Sequence, residues 1–202
     1  KIALLDSNLP LILAGGGIRC ARMEPDFLDL VKKLGVPVVH SLMGVDLLPY
    51  AHPLRIGMIG TYGNRWANDA MMESDFILVL GSRLDVRQTG ADAASISNGR
   101  KIFHIDCDES QLNNRVKNCN ALVSNLADLM PLIGEFLPTV ENLESWQSWI
   151  QSRKERFPDT GELSNCKGIN PNEFIHQLSR SSGFAQIFVA DVGIHQMWAA
   201  QH

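Results

Sequence analysis

The sequence has few cysteines, with no pairing pattern among them, and it has no excess of positive charge. It carries 18 basic against 22 acidic residues, a net charge of −4. Such a chain does not neutralise a run of phosphates, so we expect no nucleic-acid partner. No CxxC pair or Cys/His ladder is present, which excludes a structural zinc site and a disulfide framework. We expect reduced, structural thiols at Cys20, Cys107, Cys119 and Cys166.

Long hydrophobic runs are also missing. The two longest, Leu9–Ala14 and Phe76–Leu80, are far shorter than the roughly 20 residues that a helix needs to cross a bilayer. No charged segment followed by an apolar one opens the chain. We therefore expect no membrane partner and a cytoplasmic location. With 45% hydrophobic and 20% charged residues among 202, the composition excludes disorder and collagen and is typical of a globular protein.

Residues 1–137 repeat one pattern, in which a short apolar run enters a turn and a segment with helical spacing follows. This alternation predicts an α/β fold with a doubly wound, Rossmann-like parallel sheet whose strands are buried on both faces. The predicted strands are Leu9–Ala14, Val36–Ser41, Phe76–Gly81, Lys101–Asp106 and Ala121–Ser124. The predicted helices are Glu24–Leu34, Arg65–Glu73 and Leu126–Phe136.

Residues 138–168 differ in composition from residues 1–137. Two prolines flank a predicted polar helix, and the stretch after it is rich in Gly, Ser, Asn and charged residues. We interpret residues 138–168 as an interdomain linker. Trp146 and Trp149 are three residues apart on that helix, and we expect them to pack against a neighbouring domain rather than to stack on a ligand.

The strand and helix pattern restarts in residues 169–202. A helix is predicted from Asn170 to about Ser181, and a buried strand over Ala185–Ala190. One helix and one strand cannot bury enough apolar surface to form a domain. We therefore expect these residues to be the truncated start of a second α/β domain, and the chain to be a fragment of a longer enzyme.

A glycine cluster, Gly15, Gly16 and Gly17, follows the first predicted strand. Missing Cβ atoms let a ligand approach the backbone amides near a helix N-terminus. Cys20, however, occupies the place of the third glycine in a GxGxxG fingerprint. Ligand contact and a simple tight turn are both open interpretations of the cluster.

Two charged segments leave the carboxyl ends of predicted strands, the edge at which open parallel sheets bind ligands. Arg83 and Arg87 can offer forked donors to a phosphate while Asp85 between them orients a guanidinium; a surface ion pair is the alternative. Asp106 ends the next strand and is placed to accept a hydrogen bond from a ribose hydroxyl, whereas the acids after it can equally cap a helix.

Gly193 and His195 lie where the last predicted strand turns through glycine into a helix. Backbone amides, the helix dipole and an imidazole converge there on an anion-sized position, and a capping turn with a packed histidine is equally open. No acid or cysteine lies at metal-ligand spacing from the other histidines considered, so we expect packed or solvated rings and no metal site at His40, His52, His104 and His176.

Taken together, these segments resemble the thiamine diphosphate enzymes of the acetolactate synthase type, in particular their large catalytic subunit. The resemblance covers nearly the whole chain. Its motifs are Leu13–Gly17, Ser41–Gly44, His52–Leu54, Gly57–Gly60, Ala67–Asn68, Gly81–Gly90, His104–Asp106 and Asp191–Gln201. It implies that residues 1–137 form the family's central domain and that residues 169–202 open its C-terminal, diphosphate-binding domain.

The resemblance implies a full-length enzyme of branched-chain amino acid biosynthesis, a homo-oligomer that uses thiamine diphosphate and Mg²⁺. Such an enzyme decarboxylates a 2-oxo acid and ligates the product to a second carbonyl. The family's activating glutamate and its magnesium motif have no counterpart in this sequence, so we expect the fragment alone to be inactive, with no catalytic or metal-binding residue. A thiamine diphosphate-dependent decarboxylase of the same fold and a non-catalytic module that binds ADP or a dinucleotide are the alternatives.

The central domain is structural in this family, and it holds FAD in flavin-containing members and ADP or nothing in others. The resemblance implies cofactor contacts at Gly15, Gly16, Gly17, Ser41, Leu42, Met43, Ile59, Gly60, Thr61, Tyr62, Gly81, Arg83, Asp85, Arg87, Asp106, Cys107 and Asn125. It also implies that Gly193 and His195 contact the phosphates of thiamine diphosphate. Ile194 stands where the family has a glutamine.

Overall fold

A computed structural model describes residues 1–161, 165 and 167–201. Cys166, three other residues of the predicted linker (162–164) and His202 lie outside the described residues. In the described part of the chain, no helix has the length and apolar composition needed to cross a bilayer.

Six strands form one sheet. They are β1 (Pro10–Ala14), β2 (Val38–His40), β3 (Arg55–Met58), β4 (Phe76–Leu80), β5 (Lys101–Asp106) and β6 (Asn120–Val123). Their order across the sheet is β3-β2-β1-β4-β5-β6, and every neighbouring pair is parallel. This is the order of a doubly wound Rossmann-type sheet. The predicted fold class is confirmed.

Helices connect and cover the strands. The α-helices are α1 (Ile2–Leu5), α2 (Gly17–Cys20), α3 (Glu24–Leu34), α4 (Arg65–Glu73), α5 (Val86–Thr89), α6 (Ala94–Ser97), α7 (Leu126–Phe136), α8 (Glu144–Arg156), α9 (Pro171–Ser181) and α10 (Ile194–Gln201). Short 3₁₀ turns span Leu42–Gly44 and Glu109–Gln111. The boundaries of α3, α4 and α7 are those that the sequence predicts.

The sheet separates two apolar layers, because successive side chains of a strand point to opposite faces. Ile12 of β1 packs with α3 and α7 on one face, and Leu13 packs with α4 and α8 on the other. Helix α8, which the sequence assigns to the linker, is therefore part of this second layer. Its Trp146 is buried, donates from Nε1 to Pro10 O at 3.0 Å, and stacks on Trp149 with ring centroids 5.2 Å apart.

Two expectations about strands are wrong at the edges of the sheet. The sequence pattern missed β3, a four-residue edge strand in which Arg55 and Gly57 interrupt the apolar run. Strand β6 is exposed along its length rather than buried on both faces. The other edge strand, β3, is buried, so the layers that cover the sheet extend over β3 and leave β6 open. Continuous hydrophobicity marks central strands and says little about edges.

The predicted buried strand Ala185–Ala190 is also wrong. These residues pair with no strand of the described sheet, and Ile187, Phe188 and Val189 are 79%, 64% and 94% exposed. A strand requires a neighbour to take its backbone hydrogen bonds, and the described part of the chain places none beside this segment. Helix α10 does contact the sheet domain, where Gln201 Nε2 donates to Tyr62 O at 2.7 Å.

Candidate functional site

The loops that follow the carboxyl ends of the parallel strands meet at one edge of the sheet. Backbone hydrogen bonds hold the first of them together: Gly17 N donates to Gly81 O at 3.0 Å, and Ser41 N donates to Ala14 O at 3.0 Å. The sequence-predicted residues after β1, β2, β3, β4, β5 and β6 thus share this edge, which we call the carboxyl edge.

The glycine cluster allows the loop after β1 to touch the loop after β4. A Cβ at Gly15 would overlap the carbonyl oxygen of Gly81, and a Cβ at Gly17 would lie 2.7 Å from Gly81 Cα. Gly16 lies against the loop after β2, where a Cβ would come 2.9 Å from that of Met43. The tight-turn interpretation therefore accounts for Gly15 and Gly16, while Gly17 also faces open space.

That space is a cavity of about 150 Å³ between the loops after β1, β4, β5 and β6. Its lining comprises Gly17, Cys20, Ala21, Gly81, Asp106, Cys107, Ser124, Asn125 and Leu126. The structure thereby brings together five residues that the resemblance implies as cofactor contacts. Sequence reasoning missed the other four, although Cys20 was already marked by its place in the glycine fingerprint and Ser124 by its position before Asn125.

Asp106 supplies the carboxylate of this cavity. It is almost fully buried, at 9% exposure, and its Oδ1 accepts a hydrogen bond from Asp108 N at 3.0 Å. Among the described residues Oδ2 has no donor, so this oxygen is available to a hydroxyl group. Asp108 itself caps the following turn, and hydrogen bonds from Ser110 and Gln111 lower the pKa of its carboxyl group. The cap interpretation thus holds for the second acid.

Asn125 both caps helix α7 and lines the cavity. Its side chain caps α7, with Oδ1 accepting from Ala127 N at 3.0 Å, while the residue also lines the cavity. The amide nitrogen is left to donate toward a ligand. Capping fixes the side-chain orientation, which favours a defined contact.

Arg83 and Arg87 are exposed at the rim of the carboxyl edge and do not line this cavity. Asp85 caps α5, since it accepts from Arg87 N at 2.9 Å and from Gln88 N at 3.2 Å. Its Oδ2 also lies 3.6 Å from Arg83 Nη2. This contact is an exposed ion pair, the alternative that the sequence analysis left open.

Leu84, between these charged residues, has a φ of 52° although its side chain is buried. A non-glycine residue in the left-handed region is strained by about 1–3 kcal/mol and is most often seen at functional sites. The strain turns the chain sharply after β4. That turn exposes the neighbouring Arg83 while Leu84 fills the core.

The loop after β3 reaches the same rim through its backbone. Thr61 N donates to Arg87 O at 2.8 Å, and a Cβ at Gly60 would overlap that same carbonyl oxygen. Ile59 is buried beneath the loop, whereas Tyr62 is half exposed above it. The loop after β3 thus lies against α5.

Two buried histidines contact the backbone of the loops after β4 and β2. His104 Nε2 lies 2.7 Å from Ser82 O, and His40 Nδ1 lies 3.1 Å from Ser41 O. Burial lowers the pKa of both rings, that of His40 to about 4, with the charge of Arg55 as the second cause. The packed interpretation of these two histidines is confirmed.

Comparison with known proteins identifies the family of this chain. The family model for the central domain of thiamine pyrophosphate enzymes matches residues 2–133. The chain belongs to this family. The matched residues include all six strands of the parallel sheet and the loops at its carboxyl edge.

Individual relatives agree with the family model. The chain is 35% identical over 196 residues to an acetolactate synthase large subunit of Lactococcus lactis, an alignment that covers 97% of this chain and 34% of the relative. It is 32% identical to that of Haemophilus influenzae, over 99% of this chain and 35% of the relative. It is 30% identical to that of the alga Cyanidium caldarium, over 100% and 35%. The chain spans about a third of the length of these relatives.

Beyond the central domain of this thiamine pyrophosphate enzyme, Gly193 and His195 lie at the start of α10. The imidazole covers Gly193, where an added Cβ would come 2.6 Å from His195 Cε1. Both this ring and Ile194 are exposed. The structure does not bring these residues to the cavity of the carboxyl edge.

The described residues hold no cluster of three or more metal-ligating side chains. These residues therefore do not by themselves provide a ligand set for Mg²⁺. A nucleotide fits better, because the carboxyl edge offers a backbone surface free of side chains at Gly17 and Gly81 and an available oxygen of Asp106.

Proposed function

We propose that the carboxyl edge of this central domain binds FAD, with its adenosine half in the cavity of about 150 Å³. The observation that carries the proposal is Asp106, a residue only 9% exposed that lines the cavity beside Gly17 and Gly81 and whose Oδ2 has no donor among the described residues. A carboxylate accepts strong hydrogen bonds from hydroxyl groups. In this assignment Asp106 accepts from the ribose, while Gly17, Gly81 and Asn125 contact the nucleotide.

The rest of the cofactor extends along the rim in this proposal. Arg83, held by Asp85, and Arg87 lie beyond the cavity mouth, where guanidinium groups can pair with a diphosphate. Residues 41–43 and 59–62, with Cys107, complete the contacts. FAD has a structural role here, which means that it orders the loops and does not cycle between redox states.

We further propose that a protein of the relatives' length carries out acetolactate synthase-like chemistry as a homo-oligomer, to which this chain contributes the central domain. Thiamine diphosphate supplies the electron sink for decarboxylation of a 2-oxo acid and for ligation to a second carbonyl. Gly193 and His195 contact its phosphates in this proposal. The amides of the first turn of α10 and the imidazole are suitable donors.

A calorimetric titration tests the nucleotide site. FAD, ADP and NAD are titrated into the wild type and Arg83→Ala, with Lys101→Ala as a control that removes an exposed charge elsewhere. We expect FAD to bind the wild type and the control equally, and Arg83→Ala to bind about tenfold more weakly, since a charge-assisted hydrogen bond is lost. Equal, negligible binding of FAD by all three proteins would exclude the flavin site. Binding of ADP or NAD but not FAD would favour a nucleotide-sensing module.

A turnover assay tests the chemistry. The full-length protein is incubated with pyruvate, thiamine diphosphate and Mg²⁺, and carbon dioxide and ligated product are measured. We expect both. Carbon dioxide without a ligated product would assign a decarboxylase of the same fold, and the formation of neither would contradict the proposed reaction.

A further inference from the structure

A second cavity, of about 270 Å³, lies at the opposite edge of the sheet from the carboxyl edge. It is enclosed by the residues that enter β2 and β3 and by helix α8. The side chains that matter here are Tyr50, His52, Arg55, Trp66, Gln151 and Lys154. Because the strands are parallel, this amino-terminal edge is separated from the candidate FAD site by the length of the sheet.

Arg55, the first residue of β3, has a buried guanidinium in the wall of this cavity. The residue is only 8% exposed, and its buried Nε has no hydrogen-bond acceptor. Among the described residues its side chain forms no ion pair. The ring of Tyr50 faces this side chain, with its centroid 5.1 Å from the guanidinium carbon. A buried cation is unfavourable without a counter-charge, and a ring face offsets only part of that cost.

Lys154 of α8 lines the same cavity. Its Nζ lies 5.8 Å from the Tyr50 ring and 5.7 Å from the Trp66 ring, and no carboxylate in the described part of the chain lies within ion-pair distance of it. Asp159 acts on Lys154 from farther away, and its Oδ1 lies 3.5 Å from His176 Nε2. Burial and the charge of Arg55 lower the pKa of Lys154, so the two cations are close enough to repel.

We propose that this cavity binds a small oxyanion with two negative charges, such as phosphate or a short dicarboxylate, between Arg55 and Lys154. The planar guanidinium offers paired donors to two oxygens, and the ammonium group adds a point charge. A ligand here neutralises both cations. The cavity of about 270 Å³ has room for an anion of this size. This inference is independent of the proposed function.

Calorimetry with inorganic phosphate and with succinate tests the site, at an ionic strength held constant with KCl. The proteins are the wild type, Arg55→Met, Lys154→Met and the control Lys101→Met, which removes an exposed charge outside the cavity. We expect saturable binding of at least one anion to the wild type and the control, and an affinity lower by about tenfold or more in each cavity variant. The anion that binds identifies the ligand class.

Thermal unfolding supplies a second readout. Without anion, Arg55→Met is expected to unfold at or above the wild-type temperature, because an unpaired buried charge is removed. Saturating phosphate or succinate raises the unfolding temperature of the wild type but not that of the variant. If Arg55→Met does not fold, Lys154→Met still tests the site, because Lys154 is only partly buried and its replacement leaves the core intact.

Two results would overturn the proposal. One is no saturable binding of either anion to the wild type, as expected if a carboxylate from another segment of the protein covers the two cations. The other is the same affinity in all four proteins, which would show an adventitious ion only. FAD affinity, measured in the same proteins, distinguishes a failure of this proposal from a failure of the proposed function. We expect neither Arg55→Met nor Lys154→Met to change the affinity for FAD.

Discussion

Among single residues, Gly15 shows most clearly why the loop after β1 lacks a side chain. A Cβ there would overlap the Gly81 carbonyl oxygen, a backbone atom that cannot move aside, whereas Gly134 in α7 has open space at the same position. We expect Gly15→Ala to lower the free energy of unfolding by about 3 kcal/mol. Gly134→Ala should raise it by about 0.5–1 kcal/mol, because glycine is a poor helix former. Urea unfolding measures both, and similar effects of the two changes would contradict the close approach of the loops.

His40 makes the stability of the domain depend on pH. The ring titrates near pH 6.5 in the unfolded chain and at about 4 in the folded protein. The unfolded state therefore binds the proton first as the pH falls, and stability is lost between pH 6.5 and 4. For His40 alone the loss amounts to about 3 kcal/mol.

Denaturant unfolding at pH 7 and pH 4 measures this loss in the wild type, in His40→Gln and in His195→Gln, whose ring is exposed. We expect His40→Gln to lose less stability on acidification than the wild type, and His195→Gln to lose the same amount. An unchanged loss in His40→Gln would show that the buried ring does not carry the effect.

Among the secondary-structure elements, α8 is attached to the sheet by one buried hydrogen bond. Trp146 Nε1 donates to Pro10 O at 3.0 Å, and Trp146→Phe removes this donor while keeping an aromatic ring. We expect a cost of about 1–3 kcal/mol in the free energy of unfolding. Trp149→Phe is the matched control, since the Trp149 indole is half-buried and forms no hydrogen bond among the described residues; we expect its cost to stay below about 1 kcal/mol. Equal costs would mean that the Trp146 hydrogen bond adds nothing to the packing of its ring.

Some of the helices and strands can be predicted from the sequence, and others cannot. Helices such as α3 have the boundaries that apolar spacing, proline and glycine predict, and the central strands are continuous apolar runs. Strand β3 has no such signal because Arg55 interrupts it. The hydrophobicity of Ala185–Ala190 predicts a strand, yet pairing depends on a neighbour that local sequence does not reveal.

The sequence likewise predicts one part of the candidate site and not the other. Glycines and charged residues at strand ends predicted the carboxyl edge, including Gly17 and Asp106. They could not predict which side chains enclose a cavity, because the rim position of Arg83 depends on the left-handed turn at Leu84. The amino-terminal cavity had no sequence signal, since Arg55 and Lys154 are 99 positions apart in the sequence and meet only through packing of α8.

Across the whole molecule, protection from solvent is uneven. Phe184 and Phe188 are 87% and 64% exposed in a segment without regular structure, whereas Phe27 and Phe76 are buried. We expect chymotrypsin to cleave after Phe184 and Phe188 well before it cleaves after the buried pair, because cleavage requires local unfolding. Mass spectrometry of a time course identifies the cuts. First cleavage within the sheet domain would contradict this distribution of stability.

A nucleotide bound in the cavity at the carboxyl edge would shield the thiols that line it, and alkylation of these thiols detects the shielding. Cys20 and Cys107 are exposed and line the cavity, whereas Cys119 is buried, and burial raises the pKa of its thiol. Iodoacetamide labelling is followed by peptide mass spectrometry with and without saturating FAD. We expect FAD to slow the labelling of Cys20 and Cys107 at least about tenfold and to leave the slow labelling of Cys119 unchanged. Unchanged labelling rates at both cavity thiols would contradict a nucleotide in this cavity.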